Sequence, residues 1–102
     1  MRGKLFLLSP RQSLASAGMP EFSHPKLQQM AAFHSGQAAY HDLCAAGHQA
    51  LGETEAAARH REATKAHTVA AAAPMDPKLG GTAMRAGGIA DAASQQVVRE
   101  RR

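Results

Sequence analysis

Large apolar side chains are what this chain has least of. Its 102 residues include no tryptophan, one tyrosine and three phenylalanines. Leucine, isoleucine, valine and phenylalanine together number 15. That share falls below about 20%, the level near which chains cease to bury enough apolar surface to offset their conformational entropy. The overall hydrophobic content of 44% hides this shortage, because 23 of the residues counted in it are alanine. A β-sandwich, a barrel or a doubly wound sheet is excluded on this ground, and so is a self-sufficient enzyme with a deep pocket. Cysteine is nearly absent too: Cys44 stands alone, so the chain has no internal disulfide framework. No run approaches the roughly 18–20 apolar residues that span a bilayer, so no transmembrane segment is expected. The run Leu5-Phe6-Leu7-Leu8, cut off by Ser9-Pro10, is shorter than the about 7–15 residues of a secretory signal core.

Acidic residues are missing from residues 1–20, which carry Arg2, Lys4 and Arg11. The net charge of +4 therefore sits in the two ends. Residues 21–73 carry four Lys or Arg against five acids, and residues 74–102 carry five against three, with Arg99, Arg101 and Arg102 at the end. No helical stripe is basic and the aromatic residues are scattered, which argues against a nucleic acid partner. The lone cysteine suits a reducing compartment and a cytoplasmic location. The alternative is organelle targeting through residues 1–18, which are acid-free and contain serine and arginine. Met19 is a second candidate start after Met1.

What is present in strength is helical punctuation between residues 23 and 74. Ser23 is placed to cap a helix whose first turn holds Pro25, where a missing N–H costs nothing. Lys26 to Ala50 then reads as uninterrupted helix. Gly52 suits the left-handed position after a helix end, and Thr54 is placed to cap the next helix, with Glu53 and Glu55 near its positive pole. That second helix runs to about Ala73, because Pro74 disfavours helical geometry in the residue before it. The expected fold is all-α, a single antiparallel helical hairpin over 23–74. Residues 1–22 form a flexible basic segment in this reading. Residues 75–102, punctuated by Asp76-Pro77, Gly80-Gly81 and Gly87-Gly88, read as a linker and a weakly helical basic tail that allows a short C-terminal helix.

Ala50 to Ala57, with Ala63 further on, resemble the middle of a tetratricopeptide repeat, where a glycine-containing turn joins two antiparallel helices and alanines pack between them. The likeness covers less than one repeat. It departs from the pattern at Arg61, near an expected aromatic, and at Ala63, one residue early. It implies helix-turn-helix geometry and a partner-binding role.

At 100° per residue, Phe33, Tyr40, Cys44 and Leu51 share one side of the first helix, flanked by Met30 and Leu43. Gly36 and Gly47 on that side would let a second helix approach closely. The return helix offers Val69 as its large aliphatic, so the hairpin should be marginal alone. Self-association or another protein would complete it, with Met30, Phe33, Tyr40, Leu43 and Leu51 as the contact surface. This gives a non-enzymatic assembly or adaptor protein. A marginally ordered chain with no specific activity is a further reading of the same composition.

A different class of function comes from the histidines. His34, His41 and His48 recur every seven residues, as do His60 and His67. Seven residues of helix span about 10.5 Å, too far for two such partners on one helix to share an ion at about 2.1 Å from each. These rings are expected as half-exposed edge residues beside the seam, and Cys44 as a small buried apolar residue. The helical ligand spacings of three and four are supplied by Cys44, with His41 before it and His48 after it. A hairpin folded about Gly52 sets position 44 opposite His60. His41, Cys44, His48 and His60 are thus the candidate ligands for zinc or copper. Without such a site the chain needs no cofactor.

Overall fold

The structure, a computed structural model, describes residues 24–101; the readings made for residues 1–22 and for the Ser23 cap lie outside it. Three helices follow one another: α1 (Pro25–Ala50), α2 (Thr54–Ala72) and α3 (Pro77–Arg101). The all-α class holds. The single hairpin with a linker and short terminal helix does not, because residues 77–101 form a third helix of 25 residues.

Local chemistry accounts for each boundary. Pro25 opens α1, and His24 caps it by accepting the Lys26 N–H on Nδ1 at 3.1 Å. Gly52 has φ +76, the left-handed conformation that glycine adopts without a Cβ penalty. Thr54 is the first residue of α2 rather than its cap, a position taken by Glu53. Pro74 is buried in the α2–α3 connection. Asp76-Pro77, which reads as loop punctuation, is a helix start: the Asp76 carboxylate accepts the Lys78 N–H at 2.9 Å, and Pro77 occupies the first helical position.

The packing is a heptad pattern on all three helices. Ala31, His34, His41 and Ala45 are buried on α1, with Ala38 and His48 half-buried between and after them. On α2 the heptad series is Ala56, His60, Ala63, His67 and Ala70, with Ala57 and Ala71 buried beside it. On α3 it is Ala83, Gly87 and Ala90, with Gly80 and Ser94 half-buried at its ends. Alternating steps of three and four keep one stripe facing its neighbours, as in a coiled coil. Alanine alternates with histidine on α1 and α2, and with glycine or serine on α3.

The seam lies one residue away from the stripe that hydrophobicity favours, a rotation of about 100° on a helix. Phe33 and Tyr40 are 47% and 48% exposed, whereas His34 and His41 beside them are 6% and 1% exposed. Of the histidines expected to be half-exposed, His34, His41, His60 and His67 are core residues while His48 is half-buried, and Cys44 is half-buried rather than fully buried. Alanine methyls fit between closely approaching helices where phenyl rings would not. Gly36 and Gly47 have nothing within 4 Å of a Cβ built on them and serve no close approach; the glycines that do are Gly80 and Gly87 on α3.

Candidate functional site

The buried rings form layers across the bundle. In the first, His34 and His67 meet Nδ1 to Nδ1 at 2.8 Å. In the second, His41 and His60 do the same at 2.7 Å. Each contact joins a lone pair on one neutral ring to an N–H on the other, since imidazole offers one of each. His67 stacks on His41, with centroids 5.7 Å apart and planes 11° from parallel, so the two layers touch. Phe33 meets His34 edge-on at 5.1 Å, and Tyr40 meets His41 at 4.8 Å. The aromatics expected to form the seam instead cover its flank.

Glycine on α3 makes room for these rings. A Cβ on Gly87 would lie 3.2 Å from His41 Nε2 and 3.4 Å from His67 Nε2. One on Gly80 would lie 3.7 Å from His34 Nε2. In the third layer a serine replaces glycine: Ser94 Oγ lies 2.8 Å from His48 Nε2 and 2.7 Å from His60 Nε2. His48 Nδ1 reaches Glu53 Oε1 at 2.7 Å, and Arg101 also pairs with Glu53. His48 and Arg101 together hold the Glu53 carboxyl below the usual carboxylate range.

Burial lowers the pKa of His34, His41, His60 and His67, because a charged ring loses its hydration there. For His60 the neighbouring His41 and His48 lower it further, and for His67 the neighbouring His34 and His41 do so. Asp91 on α3 pulls the other way on His41 and His60. Tyr40 stands beside this group, its hydroxyl 3.4 Å from Asp91 Oδ1. A hydrogen bond with the Cys44 thiol, then the Asp91 charge, push the Tyr40 phenol up to about 12.

Ligand chemistry concentrates in the second layer. His41, His60 and Asp91 each offer one donor atom, and these atoms lie within 4.8 Å of one another. Two of the four residues expected as ligands, His41 and His60, are brought together from different helices. The nitrogens of His48 are engaged by Glu53 and Ser94, and Cys44 is not in the group but touches it through Tyr40. Folding about Gly52 predicts that position 44 faces His60; the partner is instead position 41, about one helical turn away. Asp91 carries no signal in a hairpin reading because it lies on α3. Its position, four residues after the seam glycine Gly87, becomes informative once α3 is recognised as a heptad helix.

The residues expected to meet a partner are all on the outside: Met30, Phe33, Tyr40, Leu43 and Leu51 are 38–74% exposed. Met30 and Phe33 join Lys26, Gln29, His34, Gly80 and Met84 in lining a groove of about 320 Å³ between α1 and α3. Among the described residues, no helix is long and apolar enough to cross a membrane. No protein-family model, curated protein or solved structure matches this chain.

Proposed function

We propose that this protein is a non-enzymatic metal-binding helical bundle, taking a divalent transition-metal ion of the zinc class at His41, His60 and Asp91. The observation that carries this reading is the convergence of two buried imidazoles and a carboxylate within 4.8 Å. Two nitrogens and one oxygen suit Zn²⁺ or Co²⁺, with water free to complete the coordination. Copper, whose divalent ion also accepts imidazole and carboxylate, is the competing occupant. In the metal-free protein the two rings share one proton along a 2.7 Å contact, and an ion would take its place.

The test is a titration of the full chain with Zn²⁺ by calorimetry and with Co²⁺ by visible absorption. The expected result is one ion per chain, with ligand-field bands and no thiolate charge-transfer band. His60→Gln and Asp91→Asn should each weaken binding by at least tenfold, while Asp42→Asn should not. Binding that is equal in wild type and His60→Gln overturns the reading. A strong thiolate band would move the site to Cys44.

A second reading, self-association or protein binding, is supported by a separate observation. The core is alanine and histidine, while Met30, Phe33, Leu43, Leu51, Val69 and Met75 are exposed by 38–76%. Exposed apolar side chains over a core of alanine and histidine are what an association surface offers, and Met30 and Phe33 line one groove together. Sedimentation of the full chain should show an oligomer that Met30→Asp with Phe33→Asp dissociates. A well-folded monomer at high concentration removes self-association.

A further inference from the structure

We infer that Glu53, His48 and Ser94 are positioning residues for the second layer: they fix which nitrogen of His60 carries its proton and keep Nδ1 unprotonated, with a lone pair that an ion can take over from His41. This inference rests on the metal-binding reading above. Its physical basis is an unbroken run of four contacts. Glu53 Oε1 to His48 Nδ1 is 2.7 Å, His48 Nε2 to Ser94 Oγ is 2.8 Å, Ser94 Oγ to His60 Nε2 is 2.7 Å, and His60 Nδ1 to His41 Nδ1 is 2.7 Å.

Donor and acceptor rules leave one direction for that run when the rings are neutral. A carboxylate only accepts, so His48 Nδ1 must carry the proton that Glu53 receives. A neutral His48 then has a lone pair on Nε2, and the Ser94 hydroxyl must donate to it. With its hydrogen used, Ser94 Oγ accepts from His60 Nε2–H. His60 is therefore the Nε2–H tautomer, with its Nδ1 lone pair directed toward His41. The reverse direction needs one more proton, on His48 or on Glu53. Arg101, paired with the same carboxylate, favours the ionised form of Glu53, which leaves a protonated His48 as the one route to the reverse direction; with His48 neutral the run keeps the direction above.

An ion entering between His41, His60 and Asp91 then meets one ligand nitrogen already unprotonated. The remaining adjustment is on His41, whose proton moves from Nδ1 to Nε2. That nitrogen faces Gly87, where the missing Cβ would have lain 3.2 Å away. No net proton is gained or lost in this change. An extended carboxylate–histidine–serine run of this kind does for His60 what a single carboxylate does behind many zinc-bound histidines, where removing the outer group typically costs about 10–100-fold in affinity.

The test combines nitrogen-15 NMR of the imidazoles in the metal-free full chain, at mildly alkaline pH, with Zn²⁺ titration. His48 should be the Nδ1–H tautomer, which free histidine disfavours, and His60 the Nε2–H tautomer. Ser94→Ala should leave His48 unchanged, give His60 a mixture of tautomers and weaken Zn²⁺ binding about 10–100-fold. Ser94→Thr, which keeps the hydroxyl, should restore both, and circular dichroism confirms that each variant is folded. A wild-type His60 in the Nδ1–H form, or Ser94→Ala with unaltered Zn²⁺ affinity, overturns the inference. Wild-type tautomers as expected but with no Zn²⁺ binding would overturn the metal reading and this role with it, leaving the hydrogen-bond direction standing.

Discussion

Four glycines on α3 look equivalent in sequence and should behave in opposite ways when replaced by alanine. Inside a helix, Gly→Ala gains about 1 kcal/mol from propensity, largely by reducing the freedom of the unfolded chain. At Gly81 and Gly88 nothing lies within 4 Å of the added Cβ, so the full gain should appear. Gly80 places its Cβ 3.7 Å from His34 Nε2, an ordinary contact, and should follow them. Gly87 differs, because its Cβ would sit 3.2 Å from His41 Nε2 and 3.4 Å from His67 Nε2. Both rings are at most 1% exposed and paired with others, so neither can move without disturbing a hydrogen bond. Overpacking of this kind costs about 1–3 kcal/mol, which cancels or exceeds the propensity gain. Since about 1 kcal/mol shifts Tm by roughly 4–8 °C in a domain of this size, Gly88→Ala should melt at least several degrees above Gly87→Ala. Thermal and urea melts of the four single variants read the order directly. If Gly87→Ala is stabilised as much as Gly88→Ala, the rings do not pack against α3 as described.

Acid should unfold the bundle, because burial holds His34, His41, His60 and His67 below the ordinary histidine value of about 6.5. The unfolded chain therefore binds more protons, so stability is complete above about pH 6.5 and falls as the pH drops below it, by about 1.4 kcal/mol per pH unit for each ring that stays neutral in the fold. Helicity and Tm that are unchanged from about pH 8 to about pH 5 would contradict the burial of these rings; His34→Leu with His67→Leu should roughly halve the slope. Tyr40 is the single tyrosine, so an ultraviolet absorbance titration reports on it alone. Its phenol should ionise near the raised value of about 12, and Asp91→Asn should bring the midpoint down toward 10, whereas a wild-type midpoint near 10 would place Asp91 and Cys44 away from the hydroxyl.

Local stops and starts carry most of what sequence alone makes legible. Pro25, Gly52 and Pro74 mark the first two helices because each acts through its own backbone, with no need to know the neighbours. The third helix is hidden for the opposite reason. Gly80-Gly81 and Gly87-Gly88 lower helix propensity wherever they occur, and only tertiary packing explains why two of them belong inside a helix. The information is there in another form: Gly80, Gly87, Ser94 and Arg101 are spaced by seven, the same interval as His34, His41 and His48. Read together, small residues on one helix and imidazoles on another are complementary halves of one set of layers. The seam is misplaced by one position for a related reason. Hydrophobicity gives weight to Phe33 and Tyr40, yet helices drawn together by alanine leave no room for those rings between them. A buried imidazole, normally costly, is tolerated here because each finds a partner in its own layer. The candidate site follows from the same logic: His41 and His60 are recoverable from a hairpin, but Asp91, Ser94 and the support that Arg101 gives Glu53 all come from α3. The helix that composition discounts thus completes both the core and the candidate ligand set. Those two roles belong together, since two of the rings that fill the core, His41 and His60, are also the candidate ligands, and an ion bound to them would act on stability as well.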